Sequence, residues 1–158
     1  MMARQLLLGP GRFCRWASTS GKAHGKTPPP TVGWVHTDKL ECGRCRFKGH
    51  ALRLRADDSP QESWKALVRD SSQRLQKCSH NIYAFRWDDK SGGGFSDDGE
   101  KQAGSRLLTM LEQSDQRNVL VVVSRWYGGS HLGAQRFRAI ADAAKEALSL
   151  LPPNDASA

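Results

Sequence analysis

A glycine-rich loop carries the most distinctive chemical pattern in this sequence. Residues 125–137 read RWYGGSHLGAQRF, and Gly128 and Gly133 have the glycine spacing of a Walker A phosphate-binding loop. A Walker A loop continues with a lysine and a hydroxyl residue, but Ala134 and Gln135 occupy those positions here. Without these side chains there is no ligand for terminal phosphates or for a metal ion, so the sequence does not predict a nucleoside triphosphatase. The glycine spacing also differs from that of the dinucleotide-binding fingerprint.

The same loop can be interpreted as an anion site or as a tight structural turn. A helix N-terminus carries roughly half a positive charge, and the basic residues around this turn are Arg125, His131, Arg136 and Arg138. In the first interpretation the turn binds one phosphate, from RNA or a nucleotide. In the second, Gly128 and Gly129 supply unusual backbone angles and Gly133 lets the last helix approach the sheet. Both interpretations stay open, and the candidate ligand-binding residues are Arg125, Tyr127, Gly128, Gly129, Gly133, Arg46 and His80.

An acidic cluster, formed by Asp97, Asp98 and Glu100, precedes a helical segment. Such carboxylates can bind magnesium or divide acid and base roles, but they also cap a helix and complement its dipole. Capping is the favoured interpretation, because no further ligands are visible nearby. The histidines lie on separate elements, and no nucleophile–base pair follows from their spacing. The sequence therefore predicts no catalytic residue, no metal and no cofactor, and we do not expect an enzyme.

The cysteines favour a reducing compartment and a structural role. Cys42 and Cys45 form a CxxC motif, which as half of a zinc site would need Cys78 and His80 with an unsuitable one-residue gap. A redox CxxC should open a helix after a strand, whereas this one enters an apparent strand. Two small buried or edge thiols are the favoured interpretation.

The positive charge is concentrated at the N-terminus. The net charge is +8, but five of the 24 Lys and Arg residues and none of the acids lie in residues 1–37, which leaves 19 basic against 16 acidic residues, or +3, for the remainder. This arginine- and serine-rich, acid-free segment has the composition of a mitochondrial presequence. A basic cytoplasmic tail is the alternative. The apolar run at 6–8 is too short for a secretory signal or a membrane span.

The chain divides into three parts. Residues 1–37 are the presequence-like segment with a proline-rich linker at 28–30, residues 38–151 form one domain, and residues 152–158 form a frayed tail. Hydrophobic periodicity predicts strands at 44–54, 81–87 and 119–124, helices at 60–77 and 134–150, a further helix after Gly99, and a loop at 88–94. This order predicts an α/β (α+β) two-layer sandwich in which three helices pack on a small mixed sheet.

Several separated motifs resemble the IMPACT family, also called UPF0029. They are RCRFKGHA (44–51), HNIYAFR (80–86), DDGE (97–100) and VVVSRWYGG followed by LG (121–129 and 132–133). The bacterial YigZ-type pattern differs after DDGE and after LG, where this chain continues with KQAGSRLL and AQRF. The sequence is therefore identified as similar to the eukaryotic IMPACT-type branch.

The resemblance implies a fold similar to the second domain of a small-subunit ribosomal protein. It also implies a regulatory role: restraining the general-control translation kinase under amino-acid starvation by competing for the kinase's activator, with actin as another partner. We expect the chain to lack the N-terminal RWD domain of such regulators, because only about 40 residues precede the match. We further expect a monomer that does not enter a membrane.

Two other functions remain as alternatives to a non-enzymatic interaction domain. One is a nucleic-acid or ribosome-binding module, for which Arg46, Lys48 and His50 beside Arg125 would form a basic stripe. The other is an unrecognised hydrolase that combines the glycine loop with DDGE.

Overall fold

A computed structural model describes residues 15–16, 33–70, 72–88 and 92–153. The strands are β1 (Arg15–Trp16), β2 (Val35–His36), β3 (Leu40–Cys42), β4 (Cys45–Arg53), β5 (His80–Arg86), β6 (Gly93–Ser96) and β7 (Val119–Trp126). The helices are α1 (Pro60–Arg69), α2 (Ala103–Gln113) and α3 (Gln135–Ser149), with a short 3-10 helix at Leu75–Lys77.

The strands form one sheet in the order β1-β3-β4-β7-β5-β6, with β2 also paired to β4. The predicted α+β class is confirmed. Every described strand pair is antiparallel, however, so the expected mixed sheet is wrong. The connections explain the difference: β3 to β4 and β5 to β6 are hairpins, and β7 inserts antiparallel between β4 and β5.

The central strand β7 is covered on both faces, as its unbroken apolar sequence predicts. Val119, Val121 and Val123 join the core beneath α2 and α3. Leu120 and Val122 face the opposite way, into a second core that includes Leu67 of α1 and Leu75. Thus two helices form the second layer of the sandwich, while α1 covers the other face of the sheet.

Close contact between α3 and the sheet depends on a glycine in β4. A Cβ atom at Gly49 would lie 2.1 Å from the backbone oxygen of Ala143, so no larger residue fits without moving the helix. The prediction that Gly133 allows this approach is wrong. A Cβ atom at Gly133 would meet nothing within 4 Å, and the residue instead has a left-handed backbone with φ +54°.

One predicted helix and one predicted loop are shorter than expected. The helix predicted at 60–77 begins as expected, with Ser59 Oγ accepting from Glu62 N at 3.4 Å, but it ends at Arg69. At that end the backbone of Asp70 is extended and no longer helical, and its side chain accepts a hydrogen bond from Ser72 N. The loop predicted at 88–94 is shorter, because Gly93 and Gly94 enter β6, where a Cβ atom would collide with Phe85.

The N-terminal limit of the folded part precedes residue 38. Trp34 is buried, and Val35 and His36 pair with Ala51 and His50 of β4. Most of the presequence-like segment, including the proline linker, lies outside the described residues. So do residues 154–158 of the predicted tail.

Candidate functional site

A cleft of about 440 Å³ opens where β5 begins, β7 ends and α3 starts. His80 and Arg125 are register partners on these neighbouring strands, so both side chains reach the same end of the sheet. The turn before α2 adds Glu100, and the first turn of α3 adds Arg136. The remaining lining comes from the loop after β7, namely Tyr127, Ser130, His131, Leu132 and Gly133.

Glu100 lies at the base of the cleft and is only 6% exposed. Its carboxylate accepts a short hydrogen bond from Arg125 Nη1, and Arg136 Nε lies 2.8 Å from the other carboxylate oxygen. His80 Nε2 is 3.7 Å from Glu100 Oε2. A buried carboxylate is costly unless it is paired, and here two guanidinium groups meet that requirement.

Arg125 remains charged in spite of its burial. Burial by itself would lower the pKa of Arg125, but the contacts with Cys45 and Glu100 outweigh burial and raise that pKa. Its Nη2 points at Cys45 Sγ, 3.7 Å away, and its guanidinium lies over the ring of Phe47. The guanidinium is therefore fixed between the core and the cleft.

The hydrogen on His80 can be assigned from its partners. Nδ1 lies 2.7 Å from the backbone oxygen of Asp98, and a carbonyl oxygen can only accept, so Nδ1 carries a hydrogen. The other ring nitrogen, Nε2, faces Glu100 and the cleft. It can accept a hydrogen bond when His80 is neutral and donate one when His80 is protonated.

The acidic cluster divides into three roles. Asp97 accepts from the backbone N–H groups of Gln102 and Gly104 at 3.2 and 2.8 Å, so of the three carboxylates this one binds the amides at the start of α2. Asp98 accepts from Asn81 N at 2.6 Å and ties the turn to β5. Glu100 does not cap the helix but supplies the negative charge of the cleft. In the described part of the chain, no group of three or more His, Cys, Asp or Glu side chains could hold a metal ion.

Two glycines of the loop are required by its backbone geometry and its close packing. A Cβ atom at Gly128 would lie 1.7 Å from the backbone oxygen of Arg44, so the loop presses against the β3–β4 turn there. Gly129 has φ +86°, which favours glycine. The amide groups of residues 135–137 donate to the carbonyls of residues 132–134. The first turn of α3 therefore uses these amides internally.

The predicted basic stripe is not assembled. Arg125 points to the face covered by α2 and α3, whereas Arg46, Lys48 and His50 point to the opposite face. His50 is fully buried, and Lys48 donates to Gln73 Oε1 at 2.9 Å. Arg46 is therefore also separated from the other candidate ligand-binding residues.

A second polar cluster, which the sequence did not indicate, lies beneath α1. His36 Nδ1 is 2.8 Å from His50 Nδ1, and His50 Nε2 is 3.3 Å from Ser124 Oγ. Ser124 donates to Asn81 Oδ1 at 2.7 Å, and Cys78 Sγ donates to the same oxygen. Burial is the largest cause that lowers the pKa of His50 well below its usual value, and it also raises the pKa of Cys78 to about 11.

The CxxC motif forms the ends of the β3–β4 turn. Cys42 and Cys45 are register partners, and both are buried. Their burial agrees with the structural role favoured from the sequence. Cys45 Sγ also donates to the backbone oxygen of Ser130 at 3.6 Å, which links this turn to the glycine loop. No helix in the described part of the chain is both long and apolar enough to cross a membrane.

By its fold and its site, this protein is an antiparallel α+β sandwich domain with a cleft between the DDGE and RWYGG motifs. The family model for the Impact N-terminal domain matches residues 43–148, and the chain belongs to that family. The predicted family resemblance is thereby confirmed.

The chain is similar to curated relatives from animals and fungi. Protein IMPACT of Oryctolagus cuniculus is 47% identical over 125 residues, which cover 77% of this chain and 38% of the relative. The IMPACT homolog of Schizosaccharomyces pombe is 34% identical over 124 residues, covering 77% of this chain and 44% of the relative. The chain thus spans less than half the length of these relatives.

Two solved structures are also similar. A crystal structure of a hypothetical protein has a TM-score of 0.63 and 29% identity, covering 77% of this chain and 59% of the other. The two-domain translational regulator Yih1 has a TM-score of 0.50 and 27% identity, covering 85% of this chain and 54% of Yih1.

Proposed function

We propose that this chain is a regulatory domain of translation control that acts by binding a protein partner and catalyses no reaction. The observation that carries the proposal is its membership of the Impact N-terminal domain family, together with its similarity to the translational regulator Yih1. The proposed partner is the activator of the general-control translation kinase, and binding would restrain that kinase during amino-acid starvation. Actin is a further candidate partner.

The geometry supports binding in preference to catalysis. Several residues that could have carried chemistry serve the fold: Asp97 caps α2, Gly128 packs on Arg44, and His50 is buried in the core. Partly exposed groups, in contrast, gather around the cleft, where Tyr127 is 48% exposed. Exposed aromatic and arginine side chains are common anchors in protein interfaces.

The direct test measures binding of the full chain to immobilised kinase activator, with the kinase present as competitor. We expect binding that the kinase displaces. The matched control is Gly49→Val, which leaves the charge of the chain unchanged but forces α3 away from the sheet. Because the chain is strongly basic, this control separates specific binding from electrostatic adhesion. Equal binding by both proteins, or none by either, would contradict the proposal.

The proposed location is the mitochondrion, on the basis of the acid-free N-terminal segment. The experiment compares fluorescent fusions of the full chain and of a variant with Arg4, Arg12 and Arg15 changed to Gln. Mitochondrial fluorescence that becomes diffuse in the variant supports this location, and it would separate the chain from kinase control in the cytoplasm. A diffuse distribution of the unaltered chain would favour the cytoplasm and kinase control there.

RNA or ribosome binding is the second candidate, and one basic and aromatic patch favours it. Lys39 Nζ lies 4.8 Å from the ring centre of Trp126, and Arg46 is the register partner of Trp126. Such patches bind nucleic acid through phosphate contacts and stacking, with affinity that falls steeply with salt. Filter binding of short RNA at low salt, compared with Arg46→Gln, tests this candidate. Absence of RNA binding at low salt would remove it.

A further inference from the structure

The cleft has the size of a small-molecule site. Its volume of about 440 Å³ lies within the range of about 300–1,000 Å³ that is usual for ligand pockets. Its base is polar and buried, at Glu100 and Arg125, whereas its rim is aromatic and partly exposed, at Tyr127 and His131. These two zones would suit a ligand with a polar end and a flat ring.

The charges at the base favour an anion. Two guanidinium groups, of Arg125 and Arg136, face the single carboxylate of Glu100. That carboxylate neutralises only one of the two, and two imidazoles, of His80 and His131, add further hydrogen-bonding capacity. The base of the cleft therefore keeps an excess of positive charge that a bound anion would balance.

The arginine donors at the base are also incompletely used. Arg125 Nε is buried and has no hydrogen-bond partner among the described residues. Arg136 Nε, although 2.8 Å from Glu100, is likewise unaligned for a hydrogen bond, and Arg136 Nη1 donates to the backbone oxygen of Gly133. A guanidinium has five N–H donors, so both arginines retain donors beyond those engaged here. Carboxylate and phosphate oxygens are the acceptors that match a guanidinium, and the excess of positive charge at the base favours the more highly charged phosphate.

The rim provides a surface on which a planar ring can stack. The Tyr127 and His131 rings are 6.3 Å apart and tilted by 59°, so they form an open angle and do not stack closely on each other. The Tyr127 ring also lies 5.7 Å from the Arg125 guanidinium, which places the stacking surface directly beside the anion-binding base. Stacking of a nucleobase on such side chains is sequence-tolerant.

We propose that this cleft binds a free nucleoside monophosphate, with the phosphate between Arg125 and Arg136 and the base on Tyr127. A free mononucleotide is the assigned ligand because the base and the rim together provide one anion site and one stacking surface, and a 5′-phosphorylated RNA end is the alternative that the test distinguishes. No step of catalysis is part of the proposal. It concerns a small ligand of the domain, and its test does not require the proposed protein partner, although both proposals use the exposed ring of Tyr127.

The test uses calorimetric titration of the full chain at low salt with AMP and GMP, and with inorganic phosphate, adenosine and a 5′-phosphorylated oligoribonucleotide. We expect the nucleotides to bind more tightly than phosphate or adenosine alone, and any binding of the oligonucleotide to be independent of Arg136. Arg136→Gln should weaken nucleotide binding at least about tenfold, the effect of one charge-assisted hydrogen bond. Tyr127→Ala should weaken nucleotide binding but leave phosphate binding unchanged.

The matched control is Arg138→Gln, two residues along α3. Arg138 is exposed and does not line the cleft, so this variant removes the same charge without touching the site. Equal weakening by Arg136→Gln and Arg138→Gln would show non-specific attraction to a basic chain and overturn the proposal. So would the absence of nucleotide binding at millimolar concentrations, or an unchanged affinity in Tyr127→Ala, which alters no buried contact of Glu100. If only the oligonucleotide binds, the ligand is an RNA end and the free-nucleotide assignment is wrong.

Discussion

Two polar clusters lie on opposite faces of β7 and begin at consecutive residues. Arg125 belongs to the charged cluster with Glu100 and Arg136, and Ser124 belongs to the uncharged cluster with His50 and Asn81. Both are buried in a sheet that is otherwise apolar at its centre. They differ in how the cost of burying polar groups is offset. Opposite charges pair in the first cluster, and neutral groups form hydrogen bonds in the second.

The uncharged cluster can be completed without any ion. Ser124 donates to Asn81, so His50 Nε2 must donate to Ser124, which leaves His50 Nδ1 to accept from His36. Each buried group thereby has a partner, and the centre of the cluster is sealed beneath α1 and Leu75, while His36 and Cys78 at its edges are partly exposed. The charged cluster instead opens into a cleft and keeps unused arginine donors. The comparison indicates that the sealed cluster stabilises the fold, whereas the open cluster is available to a ligand.

The largest expected effect comes from removing the single negative charge of the charged cluster. Glu100→Gln leaves two guanidinium groups without their counter-charge, and loss of one partner of a buried ion pair costs about 3–5 kcal/mol. Urea denaturation at neutral pH measures this loss in the free energy of unfolding.

The control for this variant is Glu62→Gln. Glu62 forms an exposed pair with Lys65 at 2.8 Å on α1, and such surface pairs contribute little. If the two variants reduce the urea midpoint equally, the charged cluster does not depend on burial of Glu100.

The uncharged cluster should make the protein sensitive to mild acid. The pKa of His50, and to a lesser degree that of His36, is lowered by burial below the usual 6.5, so the unfolded chain takes up protons before the folded chain does. Stability therefore falls as the pH drops below about 6.5, by at most about 1.4 kcal/mol per pH unit for each histidine. Urea midpoints measured at about pH 7.5 and about pH 5.5 give the slope.

His50→Gln isolates the contribution of the cluster to this slope. A glutamine amide can still donate to Ser124 and accept from His36, but it does not titrate. We expect a smaller loss of stability between the two pH values than in the unaltered chain. An unchanged slope would assign the acid sensitivity to other groups.

A smaller effect is expected at the helix cap that adjoins the charged cluster. Asp97→Ala removes the acceptor for two amides at the start of α2 and should lower the free energy of unfolding by about 1 kcal/mol. Asp97→Asn keeps an acceptor and serves as the matched control. A loss as large as that of Glu100→Gln would mean that the acidic cluster acts as one unit and does not divide into separate roles.

The sequence predicted the helices and strands better than it predicted how the strands pair. Apolar runs and helical spacing predicted the central strand and both layer-forming helices, since these patterns record burial directly. Antiparallel pairing was missed because strand order depends on contacts between distant segments. The glycine-rich strand β6 was missed because its glycines fit against Phe85, which a propensity scale does not represent.

The candidate site was predicted in its parts but not in its connections. Arg125, Tyr127 and Glu100 were each singled out, yet only the fold places the Arg125 guanidinium on the Glu100 carboxylate, 25 positions apart. The sequence did name Arg136 beside the loop, but it could not separate Arg136, which reaches Glu100, from Arg138, which is exposed. Arg46 was misplaced because alternation along β4 sends it to the other face.

The smallest expected effect on stability lies at the rim of the open cluster. Tyr127 is 48% exposed, and the backbone bond of its N–H to Ser79 Oγ survives truncation of the ring, so Tyr127→Ala should change the free energy of unfolding by less than about 0.5 kcal/mol. Trp64→Phe is the counterpart at the sealed cluster, where the indole Nε1 donates to the backbone oxygen of Asn81 at 3.2 Å. That variant leaves a carbonyl without its donor and should destabilise the protein more than Tyr127→Ala does. If thermal denaturation finds the rim variant to be the more destabilising of the two, the Tyr127 ring supports the fold, and the division into an open and a sealed cluster fails.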